Sequence, residues 1–144
     1  MINIKDKKIA KIKKLVSAEA SSQYTNKISV SAPSERMVPL MNNRCQHNAV
    51  NAVKSGMAVA VVECVIISDE DCTAHYINML DDGSYVDLTL GWGWTGADYR
   101  LVRFIHESDY YRINDLLGDL KRKLTDSKID RICKILKINE WDLC

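Results

Sequence analysis

The stretch from Met57 to Ile67 (MAVAVVECVII) is rich in β-branched residues and apolar throughout except at Glu63. Such a run reads as a strand buried on both faces, which needs a partner strand at its side and a layer over each face. It is too short to cross a bilayer as a helix, which takes about 20 residues. The next forty residues supply the partners. Ser68–Asp71 is a polar turn and Cys72–Leu80 a second strand. Asp81-Asp82-Gly83 is a turn, Tyr85–Leu90 a third strand, and Gly91–Gly96 (GWGWTG) a glycine-rich loop. Tyr99–Ile105 alternates as a fourth strand. Connections this short join antiparallel neighbours, so the centre of the chain is expected to form a four-stranded meander.

Helical signals flank it. Ile9, Ile12, Leu15 and Val16 recur at helical spacing among lysines, which predicts a helix over about 3–19. Residues 20–41 are serine-rich, contain Pro33 and Pro39, and read as irregular. Asn42 or Asn43 can cap a helix running from Cys45 to Lys54 and stopped by Gly56. From Ser108 onward the chain reads as helical, with a break near Thr125–Asp126 and a further helix to about Ile138. The expectation is one α+β domain over 1–144. Its antiparallel sheet of about four strands carries the Cys45 helix, with helices at both termini.

The 20 Lys and Arg nearly balance the 19 Asp and Glu, which argues against a uniformly basic nucleic-acid binder. Cations gather in the first helix and near the end of the chain, where no aromatics interleave for base stacking, so they read as solvated helix faces. The lysine-studded start does not resemble a signal peptide, and five cysteines without a CxxC pair suit a reducing compartment. A cytoplasmic protein acting away from membranes is expected. No cofactor motif is present in the sequence.

The chemistry-bearing residues fall in three places. Cys45 occupies the first turn of its helix, where unpaired N–H groups and the helix dipole favour thiolate and can face a developing oxyanion. His75 and Asp87 lie on successive strands, and the turn between them decides whether they meet. With Asp81–Gly83 as a three-residue loop and Gly83 left-handed, Ile77 faces Asp87 and His75 faces Thr89. His75 and Asp87 are then diagonal neighbours on one face, within side-chain reach. A two-residue Asp82-Gly83 turn would put them on opposite faces.

The order helix-Cys, strand-His, strand-Asp resembles a family. RCQHNAVNAV (44–53) followed by AHYINMLDDGSYVDLTLG (74–91) is similar to the core of the papain-like and transglutaminase-like cysteine enzymes. The match lies at His75, Asp82, Gly83, Tyr85, Val86, Asp87 and Thr89. Gln46 stands where the family has an aromatic after Cys, and Ile77 where transglutaminase-like members have Trp. The resemblance implies Cys45 as nucleophile, His75 as base and Asp87 as its orienter. Asn43 and Gln23 are the candidates for an upstream oxyanion side chain. It implies acyl transfer through a thioester on a protein segment or a small amide. The alternative is a binding or inhibitory protein that keeps the fold without the chemistry.

Two other readings compete for these residues. Cys45, His47, Cys72 and His75 form a formal zinc set, but Cys45 and His47 are about 200° apart on a helix, and Cys72 and His75 have opposite parity on a strand. No metal site is expected. Trp92 and Trp94, after the Asp87 strand, read as core filler or as one wall of a substrate cleft, on the same side if the segment is extended. His47 and His106 have no evident partner and read as structural or exposed.

Overall fold

In a computed structural model, residues 4–37, 39–40 and 42–125 are described. The chain folds as a mixed α+β structure. The first helix, α1, is Ile4–Gln23, followed by two very short strands, β1 (Lys27–Ile28) and β2 (Val30–Ser31). Helix α2 is Cys45–Lys54. Strands β3 (Ala60–Ile67) and β4 (Cys72–Met79) come next, then β5 (Tyr85–Val86). A single 3-10 turn, Gly91–Trp94, leads to β6 (Asp98–Ile105). A second one, Glu107–Arg112, leads into α3 (Ile113–Leu124). The further helix expected beyond Thr125 lies outside the described residues.

The sheet is larger than the four antiparallel strands expected and is not their meander, since β6 pairs with β3 and not with β5. Its order is β1-β6-β3-β4-β5-β2. All pairings are antiparallel except the parallel β2–β5 pair. The extra strands come from the serine-rich segment, where two residues apiece leave no periodicity to read. They also shape the sheet. Adjacent strands lie about 4.8 Å apart, so the outer strands of a flat six-stranded sheet would be roughly 24 Å apart. Only Ser29 separates β1 from β2, yet they sit on opposite edges. The sheet therefore curls until its edges nearly meet.

Each face of the curl has its own core. Val30, Val62, Cys64, Ile66, Ile77 and Tyr99 fill the concave side. On the convex side, α1 and α3 pack over Val65, Cys72 and Ala74. There α2 and α3 also cover Val61 and Tyr76. Strand β3 is thus covered on both faces, as its unbroken apolar run requires. Glu63 is buried within it, accepting hydrogen bonds from the Tyr76 hydroxyl and from Arg103 Nε at 3.0 Å. Helix α1 buries Ile12, Val16 and Ala20, one residue every four, while Leu15, expected on that face, is exposed. Among the described residues no helix is long and apolar enough to cross a membrane.

Candidate active site

The β4–β5 hairpin takes the three-residue register. Gly83 is left-handed (φ +83°), its N–H donates to the Leu80 carbonyl at 3.0 Å, and the Leu80 N–H donates to the Ser84 carbonyl at 2.8 Å. Met79 then faces Tyr85, and Asn78 faces Val86. Asp82 closes the turn by accepting from the Ser84 N–H and hydroxyl. His75 and Asp87 come to the same side, with His75 Nε2 2.8 Å from Asp87 Oδ2.

The third strand ends at Val86, short of the Leu90 that its sequence pattern suggests. Asp87 is the cause. Its Oδ1 accepts the backbone N–H groups of Thr89 and Leu90, each at 2.9 Å, which turns the chain off the ladder. Its Oδ2 accepts the Tyr99 hydroxyl at 2.6 Å as well as facing His75. A fully buried carboxylate is thus satisfied by four partners. Burial pushes its pKa up, but the hydrogen bond and charge of His75, with Tyr99 and Leu90, hold it below the ordinary carboxylate value.

Cys45 is the first residue of α2 and is buried, at 9% exposure. The expected cap is corrected here. Arg44 is the N-cap and makes no side-chain cap bond; Asn42 Oδ1 instead accepts the Arg44 N–H at 3.1 Å. The first-turn amides of α2 are left without a capping side chain. Asn48, one turn on, donates to Thr89 Oγ1 at 2.8 Å and to Asn42 Oδ1 at 2.9 Å. Its amide ties α2 to the loop that carries Asp87.

The imidazole of His75 hydrogen-bonds Asp87 and interacts with the Cys45 thiol on another side, while that thiol donates to Gln46 Oε1 at 3.6 Å. Asp87 takes Nε2, so Nδ1 is the ring nitrogen not engaged by the carboxylate. Burial pulls the His75 pKa down. Asp87 and Cys45 outweigh it, and the value is pushed up from 6.5 to about 9. A raised histidine pKa stabilises the fold fully below about 6.5, and that contribution is lost as pH rises through about 9. Urea unfolding at pH 6 and pH 10 should therefore show lower stability at pH 10 that His75→Gln removes, and NMR should find the His75 ring charged at pH 7.

Cys45 and His75 open on a cleft of about 300 Å³, with Asp87 buried behind His75. Asn43, Cys45 and Gln46 line one part of it, Thr73–His75 another. Thr89, Leu90 and Trp94 close the side toward the Asp87 loop, and Leu117 and Lys121 come from α3. Gln23, a candidate for the oxyanion side chain, is exposed at the end of α1 and does not line the cleft. Asn43, the other candidate, does line it, in a left-handed conformation (φ 56°). Gln46 lines it too, with Nε2 held by Asn114 Oδ1 at 2.9 Å.

The tryptophans do not share a side, because their segment is a 3-10 turn and not extended. Trp94 faces the cleft, whereas Trp92 donates to the Pro33 carbonyl at 2.9 Å. Both are exposed, so neither fills the core. Gly91 (φ +71°) starts that turn, and a Cβ there would meet Pro39 at 2.5 Å.

The formal zinc set is dispersed. His47 is exposed, and Cys72 sits in the α1–α3 core. Among the described residues no group of three or more His, Cys, Asp or Glu is placed to hold a metal. His106 caps the 3-10 turn before α3, accepting from the Ser108 N–H. Burial, with Asp87, Cys45 and Glu63 nearby, pushes the Cys64 thiol well up, so it stays protonated.

Sequence reasoning missed Tyr99 and Asn48. Tyr99 stands on a strand separated from β5 by two others in the sheet order, and it reaches Asp87 only across the curl. Asn48 carried a faint signal, a polar residue one turn after Cys45 on an otherwise apolar face. No family model matches this chain, and searches of curated proteins and of solved structures returned no significant match.

Proposed function

We propose that the protein is a thiol-dependent acyl-transfer enzyme, with Cys45 as nucleophile, His75 as acid and base, and Asp87 as the group that orients His75. One observation carries this reading. A first-turn cysteine and a histidine line one cleft, and a buried, four-times hydrogen-bonded carboxylate stands behind the histidine. A buried structural histidine needs one acceptor; it does not need a thiol at a cleft on its other side.

The chemistry follows from the parts. The Cys45 sulfur attacks the acyl carbon, and the carbonyl oxygen gains negative charge beside the uncapped amides of α2. The imidazolium of His75 gives its proton to the leaving group as that bond breaks, leaving a thioester on Cys45. Water or another nucleophile then gives a proton to His75 and attacks the thioester, which releases the thiol. Asp87 keeps the ring in one tautomer and balances its charge. Asn43 and Gln46 line the same cleft; the Asn43 amide is the candidate donor to the acyl oxygen, since Gln46 Nε2 is engaged by Asn114.

The test uses p-nitrophenyl acetate, a donor that makes no demand on specificity. A burst of p-nitrophenolate close to one equivalent, with the acetyl group found on Cys45, is expected at pH 7. Acetylation spread over several cysteines and lysines, with no burst, would leave a binding protein as the better account.

A further inference from the structure

The wall that α3 gives the cleft points to the kind of acyl group. Asn114, Leu117 and Lys121 fall at positions i, i+3 and i+7 of α3, on one helix face. Asn114 Oδ1 holds Gln46 Nε2 at 2.9 Å, and Gln46 Oε1 accepts the Cys45 thiol at 3.6 Å, so this end of the stripe stands level with Cys45. Leu117 and Lys121 continue the stripe, and both line the cleft. Seven residues of helix rise about 10 Å and helical side chains lean back toward the N-terminus, which brings the Lys121 ammonium to roughly 5–10 Å from the level of Cys45. Lys121 is half-buried, whereas Arg122 and Lys123, its neighbours in the last turn of α3, are exposed. Among the described residues that line the cleft the ionisable ones are Cys45, His75 and Lys121, with no Asp or Glu. Asp87 balances His75 from behind, so over an acylated Cys45 the charge on the lining is that of Lys121. An ammonium in a walled cleft draws anions more strongly than one in bulk water.

We propose that the acyl donor carries a carboxylate at the far end of an aliphatic acyl chain, with its carbonyl at Cys45, its methylenes against Leu117 and its carboxylate on Lys121. The proposal rests on the acyl-transfer reading and narrows its donor from any acyl group to an ω-carboxyacyl one. The distance along α3 takes roughly two to six methylenes. A neutral acyl chain would fill the same wall but would set hydrocarbon against the Lys121 ammonium, a cost that a carboxylate removes.

The experiment measures acylation of Cys45 by the mono-p-nitrophenyl esters of adipic and suberic acids and by their methyl p-nitrophenyl diesters. A second pair, 6-maleimidohexanoate and its methyl ester, alkylates Cys45 without acyl transfer. At low salt the carboxylate is expected to react at least about tenfold faster than its methyl ester in one ester pair and in the maleimide pair, the order of one charge-assisted hydrogen bond. Lys121→Arg should keep that ratio, and Lys121→Gln should bring it near one. A lysine that served only the dipole of α3 would move the urea midpoint and leave the ratio alone. The same ratio in wild type and Lys121→Gln would overturn the proposal. In the wild-type protein, acetic anhydride should modify Lys121 at least about fivefold more slowly in the maleimidohexanoate adduct than in the methyl-ester adduct; equal modification would also overturn it. No acylation of Cys45 by any ester would sink the acyl-transfer reading instead, and the maleimide pair would still decide the carboxylate site.

Discussion

His75→Ala is expected to slow acetylation of Cys45 by p-nitrophenyl acetate about 100- to 10,000-fold at pH 7, the range that a positioned acid and base contributes. Cys45→Ala should abolish the burst altogether while leaving the fold intact. A small residue suits the first turn of a helix, and Cys45 is at the rim of its cluster, where little packing is lost. On the acyl-transfer reading the two side chains act as one unit, so the double variant should be no worse than Cys45→Ala alone. Above about pH 9 the wild-type rate of amide cleavage should fall, since the imidazolium that protonates the leaving amine is lost there. A His75→Ala protein that acetylates at the wild-type rate would show that the histidine serves only the fold.

The second large effect is on stability. Asp87→Ala removes the acceptor of four hydrogen bonds at once, leaving the Tyr99 hydroxyl, His75 and the N–H groups of Thr89 and Leu90 without it. Breaking a buried, hydrogen-bonded charge pair by deleting one partner costs about 3–5 kcal/mol. The cost should appear as a lower midpoint in urea. Asp87→Asn should be milder in urea, because an amide oxygen still accepts from the Thr89 and Leu90 N–H groups. It should nonetheless lower the His75 pKa by removing the negative charge, which an NMR titration of the ring would read. Tyr99→Phe separates the two roles further. It removes one of the four donors, so it should cost about 1 kcal/mol and shift the ring titration less than Asp87→Asn does. An Asp87→Ala protein with an unchanged urea midpoint would mean that the carboxylate is not what holds the loop.

Local rules carried much of this protein. The β-branched run of β3 announced a strand buried on both faces. The Asp-Asp-Gly turn limited the hairpin to two registers; the structure takes the three-residue one with Gly83 left-handed, which puts His75 and Asp87 on one side. The position of Cys45 at the start of α2 was legible too, from the short amphipathic stretch ended by Gly56. Each of these depends on interactions within a few residues or across one turn.

The tertiary structure decided the rest, wherever a contact depends on how far the sheet curls. Nothing local marks residues 27–31 as two strands. They pair with β6 and β5 only because the curl brings both edges to them. The same closure carries the Tyr99 hydroxyl to Asp87, a contact that strand order alone would not suggest. Strand β5 ends early because the buried Asp87 carboxylate draws the next amides to itself instead of leaving them to the ladder. A side chain with no water to satisfy it takes the nearest donors. Which donors those are depends on the folded surroundings.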